Sequence, residues 1–363
     1  MTMGRFMAWI LAILGFAVAA VAGAYFWASS GWDGDDPVAA SRADIVATAG
    51  AVPASAPAVL KVLTWNVAFG GGTGESTDVH TAEEVRRNLA AVAAGIRLQD
   101  PDIVFLQEVD RRAARSGDID QFQELRQATG FPYGCFVTTW KLNHLPFPYW
   151  PPSRQIGRIH SGQAILSRFP IEACARHPLP QPSEQPSWYN RMYLHRCLQT
   201  ARLRIGPDRV LDVVNVHLEA YGQANREDQA RILAGLVGAP AAGMPLIVAG
   251  DFNAVPSGAS MKGGFPDEPT DFTTDRTLEI IRAGTGLREV FLDDAPEVPE
   301  AATLTFPAKA ETRRLDFVFA RSLPASTRRE TIATAASDHR PIVAVFPGVS
   351  SSDAPSGSPR TSP

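Results

Sequence analysis

Several short stretches of this sequence carry side chains suited to phosphate and divalent-metal chemistry. One is Gly250-Asp251-Phe252-Asn253. It follows Leu246-Ile247-Val248-Ala249, an apolar run that fits a strand covered on both faces. Asp251 and Asn253 stand two apart, which puts both on one side of an extended chain. The acid can orient a water or a metal, and the amide can donate to a phosphoryl oxygen. The same four residues also make a good turn, with Gly250 permitting close approach of backbone or ligand. Further candidates are Trp65-Asn66-Val67, Gln107-Glu108-Val109, Val216-His217-Leu218, Leu315-Asp316-Phe317 and Ser337-Asp338-His339.

Each of these has a plain structural alternative. Asn66 could be a turn residue, Glu108 could face solvent, and His217 could be a packed core histidine. Asp316 could pair with Arg313 or Arg314, and Asp338-His339 could cap an element. Their common placement argues otherwise, because each group lies at the end or the start of an apolar strand. If those ends meet at one sheet edge, carboxylates, amides and imidazoles form one cluster. A hard cation such as Mg²⁺ takes oxygen ligands and keeps several waters, so one or two carboxylates suffice. Zinc would require more His or Cys at tight spacing.

The elements that must position these groups are read from apolar runs and their punctuation. Strands are predicted at Val59 to Val67, Asp102 to Val109, Ser161 to Ser167, Met192 to Ile205, Val210 to Leu218, Leu246 to Gly250, Arg313 to Phe319 and Ile342 to Phe346. Helices are predicted from Thr81 through Ile96, over Phe122 to Ala128, over Arg226 to Val237 and over Thr273 to Ala283. Thr81 with Glu84 has the spacing of a capping box. Trp140 to His160 interleaves aromatics with Pro146, Pro148, Pro151 and Pro152. That proline density predicts a long ordered loop near the surface.

Trp65-Asn66-Val67, Gln107-Glu108-Val109, Gly250-Asp251-Phe252-Asn253, Leu315-Asp316-Phe317 and Ser337-Asp338-His339 together resemble the endonuclease/exonuclease/phosphatase superfamily, the deoxyribonuclease-I-like fold. The motifs occur in the family's order over about Val59 to Phe346. The resemblance implies an α+β architecture, a four-layer α/β sandwich of two packed mixed β-sheets flanked by helices. It also implies metal-assisted hydrolysis of a phosphoester. Residue by residue, it makes Glu108 the principal metal-ligating carboxylate, with Asn66 and Asp338 beside it at the metal. Asp251 becomes the acid that orients the attacking water or assists the leaving group, and Asn253 the amide that holds the phosphate. Asp316 becomes the acid orienting the His339 imidazole, and His217 the second histidine of deoxyribonuclease-like, sphingomyelinase-like and inositol-phosphatase-like members. Abasic-site repair nucleases carry an acid where this chain has Ala68, and an amide where it has His217. Both departures lean away from DNA repair.

The 363 residues, 45% of them hydrophobic, are enough for one large domain with a real core. The net charge of −4 gives no global basic field for nucleic acid. Cys135, Cys174 and Cys197 allow at most one disulfide and leave one thiol over. From Phe6 to Ala28 the chain is uncharged and long enough to cross a bilayer. Arg5 precedes this run and Asp33, Asp35 and Asp36 follow it, which places the short N-terminus inside and the rest outside the cytoplasm. A cleaved signal sequence, with Ala20-Val21-Ala22 before the cut and a secreted product, is the alternative.

The expected organisation is an anchor or signal over 1–28, an Ala/Pro/Ser/Asp-rich linker over 29–57, a catalytic domain over 58–347 and a disordered tail over 348–363. The expected activity is that of a monomeric phosphodiesterase dependent on Mg²⁺, with Mn²⁺ as a substitute. Its substrate would be a nucleic acid, a phospholipid headgroup or a soluble phosphoester. A phosphomonoesterase on a soluble or lipid-derived phosphate is the nearest alternative. A non-catalytic membrane-tethered binding module is the alternative from another class.

Overall fold

A computed structural model describes residues 3–31, 43–47, 52–74, 78–238 and 244–348. In chain order the first strands are β1 (Ala43–Ala47), β2 (Val59–Asn66), β3 (Ile103–Asp110), β4 (Tyr133–Leu145), β5 (Gly157–Ser167), β6 (Ile171–Pro178) and β7 (Cys197–Gly206). They are followed by β8 (Arg209–His217), β9 (Leu246–Asp251), β10 (Arg288–Glu289), β11 (Asp316–Arg321), β12 (Arg328–Thr331) and β13 (Ile342–Pro347). The helices are α1 (Met3–Ala28), α2 (Ala82–Gln99), α3 (Gln121–Thr129), α4 (Ser187–Asn190), α5 (Gln223–Gly238) and α6 (Thr277–Arg282). One sheet has seven strands in the order β1-β4-β5-β3-β2-β13-β12, and the other has six in the order β10-β11-β9-β8-β7-β6.

Both sheets are mixed, and each holds one parallel pair. β2 pairs parallel with β3 across the crossover that contains α2, and β8 pairs parallel with β9 across the one that contains α5. α2 begins at the capping box anticipated for Thr81 and Glu84, and buries Val85, Leu89, Val92 and Ile96. Those side chains pack with Trp65 on the outer face of the first sheet. Ala230 and Leu233 of α5 pack with Val216, Phe252 and Phe317 on the outer face of the second. Between the sheets lie Val62, Phe105, Ile165, Leu203, Val213, Ile247 and Val318. Burying each such side chain contributes about 1.5–3 kcal/mol. The result is the expected helix, sheet, sheet, helix layering.

Polar groups also join the sheets. Asn215 Nδ2 donates to the Leu106 and Ala164 carbonyls at 3.0 Å each, and its Oδ1 accepts from Gln107 Nε2 at 2.7 Å. Cys135 of β4 and Cys174 of β6 form a disulfide with a Cα–Cα separation of 6.6 Å, so it ties one sheet to the other. Cys197 keeps a buried thiol. Closing a loop of 39 residues restricts the unfolded chain, and reduction should cost roughly 2–4 kcal/mol of stability. Urea melts with and without dithiothreitol check this. Coincident midpoints would show that the bridge contributes nothing.

Two expectations need correction. Residues 29–57 are not all linker: Ala43–Ala47 forms an edge strand that pairs antiparallel with Tyr133–Val137. It joins through backbone hydrogen bonds, which leave little trace in side-chain pattern, and Asp44 adds an ion pair to Arg111. The segment Trp140 to His160 is not one loop. Trp140–Leu145 continues β4 and Gly157–His160 belongs to β5, so the prolines at 146–152 occupy only the hairpin tip. Shifts of register between Thr138 and Trp140, and between Leu142 and Leu145, let the paired strands bend.

α1 is the one helix among the described residues long and apolar enough to cross a membrane, with a mean hydropathy of 2.3 over its most apolar window, none of which is buried. The acidic residues that follow it, and the expected tail beyond Gly348, lie outside the described residues.

Candidate active site

The C-terminal ends of the two parallel strand pairs face each other at one edge of the sandwich, and the polar groups singled out in the sequence stand there. Asn66 ends β2, His217 ends β8 and Asp251 ends β9. Within the second sheet the register sets His217 beside Asp251 on one side and Asp316 beside it on the other. Glu108 comes from β3 at a bulge between Leu106 and Val109, with φ 55°. The bulge breaks the alternation of the strand and re-aims the carboxylate.

Short contacts join these groups. Asn66 Nδ2 donates to Glu108 Oε1 at 3.2 Å and to Asp251 Oδ2 at 3.0 Å, while Asn66 Oδ1 accepts from the Ala68 N–H at 3.0 Å. One amide therefore ties a carboxylate of the first sheet to one of the second. His217 Nε2 lies 3.5 Å from Asp251 Oδ2 and 3.9 Å from Glu108 Oε1. His339 Nδ1 lies 2.8 Å from Asp316 Oδ2, and His339 Nε2 lies 3.8 Å from Asp251 Oδ2. Asp316 is not the partner of its arginine neighbours. Arg313 pairs with Asp267 and Glu268, and Arg314 with Glu289.

Asn253 differs from the period-2 expectation. The strand ends at Asp251, and Asn253 has a left-handed φ of 48°. Its N–H donates to Asp251 Oδ1 at 2.9 Å, and its Nδ2 to the Leu218 carbonyl at 3.0 Å. That turn and the strand end are two parts of one feature, so the alternative reading of these residues is also present. Gly250 is needed for backbone packing: a Cβ there would lie 2.0 Å from the Val216 carbonyl oxygen. Asp338 lies beside His339, with its Oδ1 3.3 Å from Ser337 Oγ.

Electrostatics distinguishes these groups from one another. Burial pushes the Asp251 carboxyl up to about 7, with Asp316 adding to the rise while His339 and Asn66 oppose it. Burial and the nearby Glu108 carboxylate bring Asp338 to about 6, against the pull of His339. Burial works against charge on His339, but Asp316 and Asp251 outweigh it and carry the imidazole to about 10. Burial, Arg196 and His339 hold His217 well below the usual histidine range. The site thus pairs a charged imidazole with a neutral one around a carboxyl poised near neutrality, a division of labour suited to acid–base chemistry.

Several supporting residues had no assigned role in the sequence reading. Ser337 Oγ donates to the Asn66 carbonyl at 2.7 Å and accepts from the His339 N–H at 3.2 Å. Trp65 Nε1 donates to the His339 carbonyl at 3.0 Å, and the Phe306 ring lies 4.6 Å from the imidazole. Thr305 Oγ1 accepts from the Asp316 N–H at 3.3 Å. Ser337 and Trp65 stand inside the motifs Ser337-Asp338-His339 and Trp65-Asn66-Val67, which is a usable signal. Thr305 and Phe306 have none, because they reach the site only through the fold.

For a metal, the ligating atoms of Asp251, Asp316 and His339 lie within 4.8 Å of one another. Glu108 and Asp338 form a second acidic neighbourhood, close enough that Glu108 raises Asp338. Carboxylate oxygens dominate both, and oxygen donors suit a hard divalent cation; a charged His339 would not ligate it, which leaves the Asp251 and Asp316 oxygens in the first group.

Residues 63–339 match the family model described as Endonuclease/Exonuclease/phosphatase family. No curated protein matches the sequence. An endonuclease/exonuclease/phosphatase from Beutenbergia cavernae DSM 12333 is similar in structure, with a TM-score of 0.60 and 21% identity over 80% of this chain and 72% of that one. A mannosyl-6-phosphatase from Bacteroides thetaiotaomicron VPI-5482 gives a TM-score of 0.51 at 15% identity, over 78% of this chain and 98% of its own. D. rerio TDP2, solved with a single-strand DNA product, gives 0.52 at 16% identity, over 80% and 99%. With two mixed sheets presenting acids and imidazoles at one edge, and the family model matched across both, the chain belongs to the Endonuclease/Exonuclease/phosphatase family, whose members are enzymes that hydrolyse phosphoester bonds.

Proposed function

We propose that this chain is a Mg²⁺-dependent phosphodiesterase held at a membrane with its catalytic domain outside the cytoplasm. The observation that carries the catalytic part is the row His217, Asp251, Asp316 with His339, faced by Asn66 and Glu108 from the other sheet. Glu108 and Asp338, with Asn66 positioning Glu108, would hold the cation, and Mn²⁺ would substitute. When bound, it supplies positive charge that neutralises phosphoryl oxygens in the transition state. Asp251, poised near neutrality, orients the attacking water and takes its proton. Asp316 holds His339 Nδ1 so that Nε2–H points into the site, where the charged imidazole meets a phosphoryl oxygen or the leaving oxygen. His217, kept neutral, accepts or relays a proton beside Asp251. Asn253 steadies the phosphate from the turn after β9.

The preference for a diester rests on the cleft. It measures about 470 Å³ and runs from Glu108 and His217 to Tyr25, which leaves room for a second substituent on phosphorus. The mannosyl-6-phosphatase among the similar structures favours the monoesterase alternative. Bis(p-nitrophenyl) phosphate and p-nitrophenyl phosphate, each with Mg²⁺, separate the two. Faster turnover of the diester is expected, and the reverse would assign a monoesterase. A membrane-tethered binding module would turn over neither.

Two observations support the location: α1 has the length and hydropathy of a span, and the Cys135–Cys174 disulfide belongs to an oxidising compartment. The protein should sediment with membranes, and added protease should digest its catalytic domain on intact spheroplasts. A domain protected until lysis would reverse the orientation. A soluble product lacking its first residues would make α1 a cleaved signal.

A further inference from the structure

The end of α1 is built into the wall of the catalytic cleft. Tyr25 lines the cleft directly, and its hydroxyl donates to the Trp188 carbonyl at 2.9 Å. The Asn143 N–H donates to the Ser30 carbonyl at 2.7 Å, and Asn143 Nδ2 to the Trp27 carbonyl at 2.9 Å. Arg191 Nε donates to Ser29 Oγ at 2.9 Å. Both cleft walls therefore grip the end of the helix, one through Asn143 of β4 and one through Trp188 of α4 and Arg191 just after it. Trp140 Nε1 joins those walls by donating to the Met192 carbonyl at 2.9 Å.

The cleft is apolar along its length. Leu145, Phe147 and Ile156 form one side, with Trp188, Tyr189 and Met192 on the other. Its charged groups are Glu108 at the catalytic end, Arg115 and Arg196, and Arg115 is tied to Asp110 at 2.9 and 3.0 Å. Tyr149, 68% accessible, and Trp188, 58%, line the cleft, and Trp150, 80% accessible, follows Tyr149 in the chain. Tyr and Trp collect where a bilayer meets water. A polyanion would ask for a track of cations along the groove, and this cleft offers few. An apolar substituent on phosphorus fits it better.

We propose that the cleft takes the apolar side of a membrane-borne phosphodiester, drawn from the bilayer that α1 spans. The aromatic rim rests in the interface, the chain lies between the hairpin tip and the segment 187–194, and the phosphate reaches Glu108 and His217. This deepens the phosphodiesterase reading and rests on it. The reaction is hydrolysis: a water oxygen joins phosphorus, one ester P–O bond breaks, and a proton from that water ends on the departing oxygen.

The test uses the full chain in mixed micelles with Mg²⁺ and p-nitrophenyl alkyl phosphates that differ only in the alkyl group. The octyl ester should exceed the methyl ester in kcat/KM by at least about tenfold, because the added methylenes leave water for the cleft. Hexadecyl p-nitrophenyl phosphate in phosphatidylglycerol vesicles should be turned over as well. The double variant Tyr149→Ser/Trp150→Ser, altered only at exposed positions, should lower the octyl-to-methyl ratio severalfold. Equal rates on methyl and octyl esters would overturn the lipid assignment and leave the phosphodiesterase standing. Failure to hydrolyse any of the esters would remove both. Preferential cleavage of a single-stranded oligonucleotide, slowed by the same double variant, would assign the aromatics to base stacking and overturn the lipid assignment.

Discussion

Replacing His339 by Ala should lower turnover by roughly 10²–10⁴-fold, the range for a positioned acid or base. Its Nδ1 is 2.8 Å from Asp316 Oδ2, so the ring orientation is fixed, and the carboxylates around it carry it to about 10, so it is charged at neutral pH. Asp316→Asn should fall in the same direction, because the amide no longer stabilises the imidazolium. The double variant should be barely worse than His339→Ala, since the two residues act as a unit. The loss should be larger for a diester with an alkyl leaving group than for p-nitrophenolate, which departs without a proton. Equal losses with both leaving groups would place the His339 charge on the phosphoryl oxygens instead. Near-normal specific activity with a lowered melting temperature would make His339 structural.

Glu108→Gln should cost roughly two orders of magnitude or more, because it keeps the side-chain shape and removes the charge facing the cation. Asn66 can still hydrogen-bond the new amide oxygen, so the fold should hold. The Mg²⁺ concentration for half-maximal activity should rise along with the loss of rate. A variant with reduced rate and an unchanged metal requirement would move Glu108 out of the metal site.

What the sequence disclosed follows from what each motif needs. Asp251, His217 and Asn66 lie at the ends of β9, β8 and β2, and buried apolar runs with abrupt polar ends are visible in any such sequence. That the two parallel pairs end at one edge is a property of the crossovers through α2 and α5, and only the family resemblance implied it. The aim of Glu108 depends on a bulge, and no residue at Leu106 to Val109 announces one. Asn253 leaves the strand for a left-handed turn, where Asn is tolerated but not required. The edge strand Ala43–Ala47 is held by backbone pairing within a segment composed like a linker. The disulfide partner was open among three cysteines, and only the packing of β4 over β6 brings Cys135 to Cys174.

Metal-dependent ester hydrolysis at this edge is tested most directly by one titration. The purified chain is stripped with chelator, and the rate on bis(p-nitrophenyl) phosphate is followed as Mg²⁺ is restored. The expected result is a rate at background in chelator that climbs with Mg²⁺ to a plateau, with Mn²⁺ substituting. A rate indifferent to chelator, or no hydrolysis at any metal concentration by a protein shown to be folded, would contradict it.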